Sequence, residues 1–187
     1  MIFNLIWRTP RDGTIVDLYG AIVAQARDPA FYRHYGVPDT VNGRFEMIVL
    51  HAALLLSRFD AEGSIARGPG QALFDHFCRD MDANLREMGV GDLAVPRKMK
   101  AIGEAFYGRK RAYESALAAP DADRLVEALV RNVYGEPSVA AHRLAAYVRD
   151  AAGRLAALDI ASLRPPRAGF PDPMASAAPD HATTGVK

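Results

Sequence analysis

Four residues of types that bind metals or carry protons lie close together, at Asp75, His76, Cys78 and Asp80. His76 and Asp80 are four positions apart, so on a helix they share a face and could supply two ligands of a metal site. Cys78 points about 160° away from both on the same helix, which removes a third ligand. That direction also puts Cys78 on the apolar face, where a small buried side chain is expected rather than a nucleophile. No metal site is therefore predicted here.

A lone histidine, His51, interrupts the longest apolar run, which extends from Met47 to Leu56. A hydrogen-bonded core residue is the more ordinary role for such a histidine than a ligand or a catalytic base. The Gly-Val-Gly sequence at 89–91 follows a predicted helix instead of a strand, so it does not indicate a phosphate-binding loop. We predict no catalytic residue and no cofactor, and the chain is not expected to be an enzyme.

The strongest charge feature is a basic segment at residues 97–111, in which Glu104 is the only acid. Its cations are Arg97, Lys98, Lys100, Arg109, Lys110 and Arg111. Because the formal net charge of the chain is only +1, attraction to an anionic partner would have to come from such a local patch. Two interpretations stay open: a solvated helix face, or a surface that contacts phosphates or an acidic partner with Tyr107 beside it. No DNA is expected, because the preceding connection is longer than the turn of a helix-turn-helix motif.

The helix before this segment has an apolar stripe with alternating charges along one edge, at Asp75, Arg79, Asp82 and Arg86. Asp75–Arg79 and Asp82–Arg86 have the i,i+4 spacing of helical ion pairs. Together the charged edge and the basic segment form the predicted partner-binding surface. Its candidate residues are Asp75, Arg79, Asp82, Arg86, Arg97, Lys98, Lys100, Tyr107, Arg109, Lys110 and Arg111.

The turn between these two helices is marked by residues with special backbone preferences. Gly89 is expected to end the first helix, because glycine readily adopts the left-handed conformation found after helix C-termini. Asp92 and Pro96 are start signals for the second helix.

Apolar residues recur at helical spacing through most of the chain, and no stretch alternates with the period of two that half-buried strands require. We therefore predict an all-α, single-domain bundle of about six to seven helices over residues 14–160, without significant sheet. The segment 43–59 is apolar on most sides, which indicates a central buried helix. Residues 1–13 are an apolar segment expected to pack onto the domain or touch a membrane. The Pro-rich composition of residues 161–187 predicts a disordered tail.

Two unusual strings, DMDANLREMGVGD at 80–92 and FYGRKRAY at 106–113, resemble the ubiquinol–cytochrome c chaperone family. The resemblance covers most of the chain between residues 18 and 135. It implies an all-helical, non-enzymatic assembly factor for cytochrome b of the ubiquinol–cytochrome c reductase complex. The motif positions that carry over as candidate interaction residues are Asp75, Asp82, Arg86, Asp92, Lys100, Tyr107, Gly108 and Arg109.

The resemblance also implies partners and a location. Nascent or newly inserted cytochrome b is the expected client, and the mitochondrial members act with a small partner assembly protein and the ribosome. The missing presequence suggests a bacterial relative in the cytoplasm, with peripheral contact at the inner membrane.

Two alternatives remain open at this point. Met81, Met88 and Met99 surround the predicted turn, and they are expected either to line an adaptable client groove or to fill the core. The competing function is a helical nucleic-acid-binding or regulatory module that uses the basic helix 97–111.

Overall fold

The computed structural model describes residues 12–63 and 66–177, and within these ranges every regular element is helical. The predicted all-α fold is thus confirmed. The α-helices are α1 (Asp12–Ala26), α2 (Pro29–Arg33), α3 (Val41–Ala61), α4 (Arg67–Glu87), α5 (Val95–Ala118), α6 (Asp123–Leu129), α7 (Ala140–Ala157) and α8 (Pro173–Ala177). One π-helical turn at Val130–Tyr134 continues α6, and a 3-10 turn at Ile160–Ser162 follows α7. Residues 1–11 of the predicted apolar N-terminal segment lie outside the described residues. The prediction that this segment packs onto the domain or touches a membrane is therefore not tested.

Helix α3 is the centre of the bundle, as its apolar sequence predicts. It packs against α1, α4, α5 and α7, and Leu50 and Leu55 in its middle are fully buried. Burying one such side chain is worth about 1.5–3 kcal/mol, so a helix that is apolar on most sides requires neighbours on most sides. At its start, the Thr40 hydroxyl accepts a hydrogen bond from the Gly43 N–H at 3.0 Å. Only glycine fits there, because a Cβ at position 43 would lie 2.0 Å from the Pro38 carbonyl oxygen.

The turn between α4 and α5 closes as the glycine predicts. Gly89 has a φ of +81°, in the left-handed region that side chains disfavour. Pro96 lies in the first turn of α5, where its missing N–H costs no hydrogen bond. The expectation that Asp92 caps α5 is wrong: the N-cap residue is Ala94, and no side chain bonds to the helix start. Asp92 instead forms an ion pair with Arg86 of α4.

The prediction of a disordered tail is wrong for residues 161–177. Phe170 is 4% exposed and its ring meets the His51 ring edge-on, with 4.9 Å between centroids. The Pro173 carbonyl oxygen accepts a hydrogen bond from the Tyr35 hydroxyl at 2.8 Å. Proline-rich composition predicts disorder because it predicts too little apolar burial, but this segment finds its apolar partners on α2, α3 and α7. Residues 178–187 lie outside the described part of the chain.

His51 of α3 belongs to a satisfied polar network in the core, as predicted for a hydrogen-bonded core histidine. Its Nδ1 lies 2.8 Å from the Met47 carbonyl oxygen and its Nε2 lies 2.8 Å from the Tyr147 hydroxyl. A neutral ring protonated at Nδ1 donates to the carbonyl and accepts from the hydroxyl, while Gln25 donates to the same hydroxyl at 3.0 Å. Burial lowers the pKa of His51 to about 4, because a charged ring would lose its solvation there.

His51 is expected to make the free energy of unfolding depend on pH. This free energy should decrease as the pH falls from 6.5 to about 4, because His51 is buried in its neutral form. An unfolded histidine takes up a proton near pH 6.5, whereas native His51 stays neutral down to about pH 4. The stabilisation is therefore complete above pH 6.5 and is lost across this window. The difference in pKa corresponds to about 3 kcal/mol.

Urea unfolding of the wild-type chain and of His51→Gln, each at a series of pH values, measures this contribution. The variant should be less stable at neutral pH and should lack this part of the pH slope. Burial raises the pKa of Glu46, which gives a slope of the opposite sign, but that slope is present in both proteins and cancels in the comparison. Equal slopes in the two proteins would contradict the assignment to His51.

Candidate partner-binding surface

An apolar groove opens where the start of α3, the end of α4 and the first half of α5 meet. Its volume is about 400 Å³. The residues that line it are Val41, Asn42, Phe45, Met81, Asn84, Leu85, Met88 and Ile102. Two of its apolar side chains are largely in solvent, Val41 at 77% and Met88 at 62% exposure. Apolar surface held open in this way is typical of a protein or peptide interaction site.

The groove follows from the sequence of α4. The apolar stripe of this helix is buried at Phe77, 1% exposed, and remains nearly buried at Met81 and Leu85, both 8% exposed. One turn later the same stripe reaches the exposed Met88. The periodic pattern therefore extends beyond the part of the helix that the bundle covers. This extension is the signal from which the groove could have been found, although sequence reasoning did not select Val41, Leu85 or the other non-methionine lining residues.

The three methionines around the turn have different positions. Met81 and Met88 line the groove, whereas Met99 is half-buried and packs against the main core without lining it. Met81 is also 8% exposed and belongs to the core, so the core-filling alternative holds for Met81 and Met99. That the groove binds a client stays a prediction.

The end of α4 and the following turn are joined by a chain of ion pairs. Arg86 Nε donates to Asp82 at 2.7 Å, which confirms the predicted i,i+4 pair. The same guanidinium also donates to Asp92 on the turn. All three side chains are exposed to a large extent, so each contact is worth little alone. Their shared effect is to hold the turn against α4 beside the groove.

The other predicted pair on this helix is not an ion pair. Arg79 Nε lies 3.4 Å from the backbone carbonyl oxygen of Asp75, and the Asp75 carboxylate accepts instead from Gln71 at 2.7 Å. Asp75 and Arg79 line a different depression, shared with Ile15 and Val16 of α1. The predicted charged edge is therefore divided between two places, and only its second half adjoins the groove.

Two predicted surface cations of α5 are not available at the surface. Arg109 forms a two-bond ion pair with Glu46 of α3, with both N–O distances at 2.6 Å, and Glu46 is 1% exposed. Lys110 is 8% exposed and contacts Asp60 at 2.7 Å and Glu114 at 2.6 Å. The assignment of Arg109 and Lys110 to an exposed basic surface is therefore corrected: both tie α5 to α3.

The pKa values are consistent with buried pairing. Burial raises the pKa of Glu46, although the Arg109 hydrogen bonds oppose this. For Lys110, burial favours the neutral amine, but hydrogen bonds to Asp60 and Glu114 outweigh it and raise the pKa. Glu46 lies beside the apolar run of α3, and this position was a sequence signal of such a partner, since buried charges are normally paired.

Residues 33–168 match the family described as ubiquinol-cytochrome C chaperone. This match includes every residue that lines the groove and the ion pairs between α3 and α5. The chain belongs to this chaperone family.

Two relatives extend the family assignment. The crystal structure of the Cbp3 homolog from Brucella abortus is 38% identical, with a TM-score of 0.77, and the likeness covers 87% of this chain and 91% of that one. Ubiquinol-cytochrome-c reductase complex assembly factor 1 of Xenopus laevis is 24% identical over 116 residues. That alignment spans 62% of this chain and 58% of the relative's length.

In this chaperone-family chain, the remaining candidate residues are exposed. Arg97, Lys98, Lys100 and Arg111 reach solvent, and Tyr107 is 46% exposed while its ring packs on Phe74 at 4.9 Å between centroids. The interruption by Arg109 and Lys110 breaks the basic segment into two separate patches. The nucleic-acid alternative is accordingly not favoured, since it relied on a continuous basic helix.

Membership of a chaperone family suggests that this chain acts by binding rather than catalysis. Burial raises the pKa of the Cys78 thiol, which disfavours the reactive thiolate.

Among the helices of residues 12–63 and 66–177, none is long and apolar enough to cross a membrane.

Proposed function

We propose that the chain binds newly made cytochrome b and supports assembly of the ubiquinol–cytochrome c reductase complex, with an apolar client segment seated in the groove. The family match over residues 33–168 carries this proposal. The Xenopus laevis relative, an assembly factor of that complex by name, supports it. The groove adds a mode of binding.

The chemistry of the groove suits one face of an apolar helix. A volume of about 400 Å³ accommodates a few side chains at i, i+3 and i+4 spacing rather than a whole segment. Unbranched methionine side chains adapt to different shapes, and Met81 and Met88 supply them on one wall. Asn84 donates to the Asp80 carbonyl at 2.7 Å, which leaves its side-chain oxygen to accept from a client. Binding of a small partner assembly protein or of the ribosome stays a prediction. The exposed charges outside the groove are the expected contacts for both.

Charged side chains in the groove are expected to weaken client capture without unfolding the chain. Val41 begins α3 and Met88 follows the end of α4, so Val41→Asp and Met88→Lys both agree with the helix dipoles. Each places a charge where an apolar client would have to desolvate it, and each should lower cross-linking to cytochrome b about tenfold or more. In a strain that lacks the native gene, the same variants should lower membrane-bound cytochrome b, measured by its haem spectrum.

The matched control is Val139→Asp, which is 95% exposed beside the start of α7 and distant in sequence from the groove. It should capture cytochrome b like the wild type. A wild-type amount of membrane-bound cytochrome b in the strain that lacks the gene would overturn the proposed function. If both groove variants cross-link to cytochrome b as well as the wild type does, the groove is not the client site.

A further inference from the structure

A second depression, which we call the polar pocket, adjoins the apolar groove at the start of α3. Its volume is about 270 Å³, and its walls are parts of residues 38–46, Arg109 of α5 and residues 131–135 at the π-helical turn. Asn42 lines both the polar pocket and the groove, because the two lie on adjacent sides of the first turns of α3. A segment that binds in the groove is therefore within reach of the polar pocket.

The π-helical turn supplies the polar pocket with a cation, Arg131. This residue is exposed, and within residues 12–63 and 66–177 no carboxylate lies at ion-pairing distance from it. Glu127, one turn earlier on α6, and Glu136, just after the π-helical turn, are exposed acids, but neither lines the polar pocket. Turns of the π type are rare and are frequent at functional sites. The turn thus presents Arg131 to the polar pocket without a partner.

The remaining charges of the polar pocket cancel one another. Both carboxylate oxygens of Glu46 accept hydrogen bonds from Arg109, each at 2.6 Å, so this pair does not neutralise Arg131. Asp39 is close to the pocket in sequence, but it pairs with Arg44 at 2.7 Å. With one acid and two cations in its lining, the polar pocket is positive by the charge of Arg131. An anionic group would balance it.

A hydrogen-bond donor of the polar pocket also lacks an acceptor. The side-chain nitrogen of Asn132 is buried and forms no hydrogen bond with the described residues, and the same is true of the Tyr113 hydroxyl. Burial raises the pKa of Tyr113 and the Asn132 amide opposes this, so the two groups are close together. An amide nitrogen carries two hydrogens. Asn132 would therefore keep one for a ligand oxygen even while it donates to Tyr113.

From these observations we propose that the polar pocket binds a carboxylate of the same segment that occupies the apolar groove. This carboxylate site rests on the proposed function, because the client supplies the acid. The preferred client is then an apolar helix face with an Asp or Glu side chain on its flank. A carboxylate accepts charge-assisted hydrogen bonds from a guanidinium in a specific geometry. The volume of about 270 Å³ is below that of most sites for whole small molecules, so it suits a single side-chain group.

Binding of labelled helical peptides to the full chain, measured by fluorescence anisotropy, tests the polar pocket. The reference peptide has Leu at i, i+3, i+4 and i+7 to fill the groove and Gln at its other positions. In a series of peptides, a single Glu replaces each Gln in turn, so that every register is sampled. At one or more positions Glu should tighten binding about fivefold at low salt, and the gain should shrink as salt is added. Arg131→Ala should remove this gain and bind the reference peptide like the wild type.

Arg124→Ala is the matched control, because Arg124 is an exposed cation two turns earlier on α6 that does not line the polar pocket. This variant should keep the full gain from Glu. A series in which no Glu position tightens binding to the wild type would overturn the proposal, and so would an Arg131→Ala variant that keeps the gain. An equal loss in both arginine variants would also contradict it, since the preference would then reflect general positive charge.

The reference peptide separates failure of the carboxylate site from failure of the groove. Its binding should be weaker to Met88→Lys, which shows that it occupies the groove whatever the effect of Glu. If no peptide of the series binds the wild type, the groove and the carboxylate site both fail as client contacts. The proposed function itself is measured separately, by the amount of membrane-bound cytochrome b in the strain that lacks the gene.

Discussion

Ending the chain after Asp159 is expected to destabilise the bundle severely. The removed segment covers the aromatic cluster around His51 with Phe170, and its Pro171 carbonyl accepts a hydrogen bond from buried Gln25 at 2.8 Å. Removing a buried Phe alone costs about 3–5 kcal/mol, and the truncation removes more than that side chain. Since a domain has only about 5–15 kcal/mol of stability in total, the truncated chain should be near or beyond its unfolding threshold. Urea unfolding monitored by circular dichroism measures the loss.

Two further proteins make the truncation interpretable. Ending the chain after Ala177 keeps every described contact of this segment and should leave the unfolding midpoint unchanged. Phe170→Ala in the full-length chain should lose about 3–5 kcal/mol, which separates the packing contribution from any effect of chain length. If the chain ending at Asp159 unfolds like the wild type, the segment is as dispensable as its proline content indicates.

Arg109→Ala is expected to lower the free energy of unfolding by about 3–5 kcal/mol. The substitution leaves the Glu46 carboxylate, 1% exposed, without its cation and with two hydrogen-bond donors lost. An unpaired buried charge is more costly than the net value of the pair that it replaces. Because burial already raises the pKa of Glu46, the variant should recover part of its stability as the pH falls and this carboxyl is protonated.

Arg111→Ala is the matched control on the same helix. Its side chain is exposed, so it should change stability by no more than about 0.5 kcal/mol. Replacing the pair together, as Glu46→Leu with Arg109→Met, should recover most of the loss, because no unpaired charge remains. A loss below about 1 kcal/mol in Arg109→Ala would instead return Arg109 to the partner-facing surface.

The charged string at 80–92 is better explained by folding than by a partner. Arg86 bonds both Asp82 and Asp92, and the left-handed Gly89 reverses the chain between them. These residues fix the turn that carries Met88 and Leu93. We therefore expect any role of these residues in binding to be indirect, through the position of Met88 in the proposed client groove.

The sequence was sufficient wherever the controlling interactions are local. The 3.6-residue apolar period gives the helices, Gly89 and Pro96 give the turn, and the isolated His51 within an apolar helix indicates a buried, hydrogen-bonded imidazole. Each of these depends on residues within a few positions of one another, so the pattern contains the necessary information. The family resemblance, carried by the strings at 80–92 and 106–113, also required no coordinates.

The tertiary structure decided which charged and Pro-rich residues are inside. A helical pattern places Arg109 and Lys110 relative to their own helix, but only the position of α3 shows that Glu46 and Asp60 meet them. In the same way, composition cannot reveal that residues 161–177 have an apolar surface to cover. The structure therefore divides the predicted partner-binding surface of the Asp/Arg edge and the basic helix into two parts. Arg109 and Lys110 pair with acids of α3 and hold α5 to it, whereas the apolar groove stays exposed. The sequence alone cannot separate these roles, because burial depends on contacts between residues far apart in the chain.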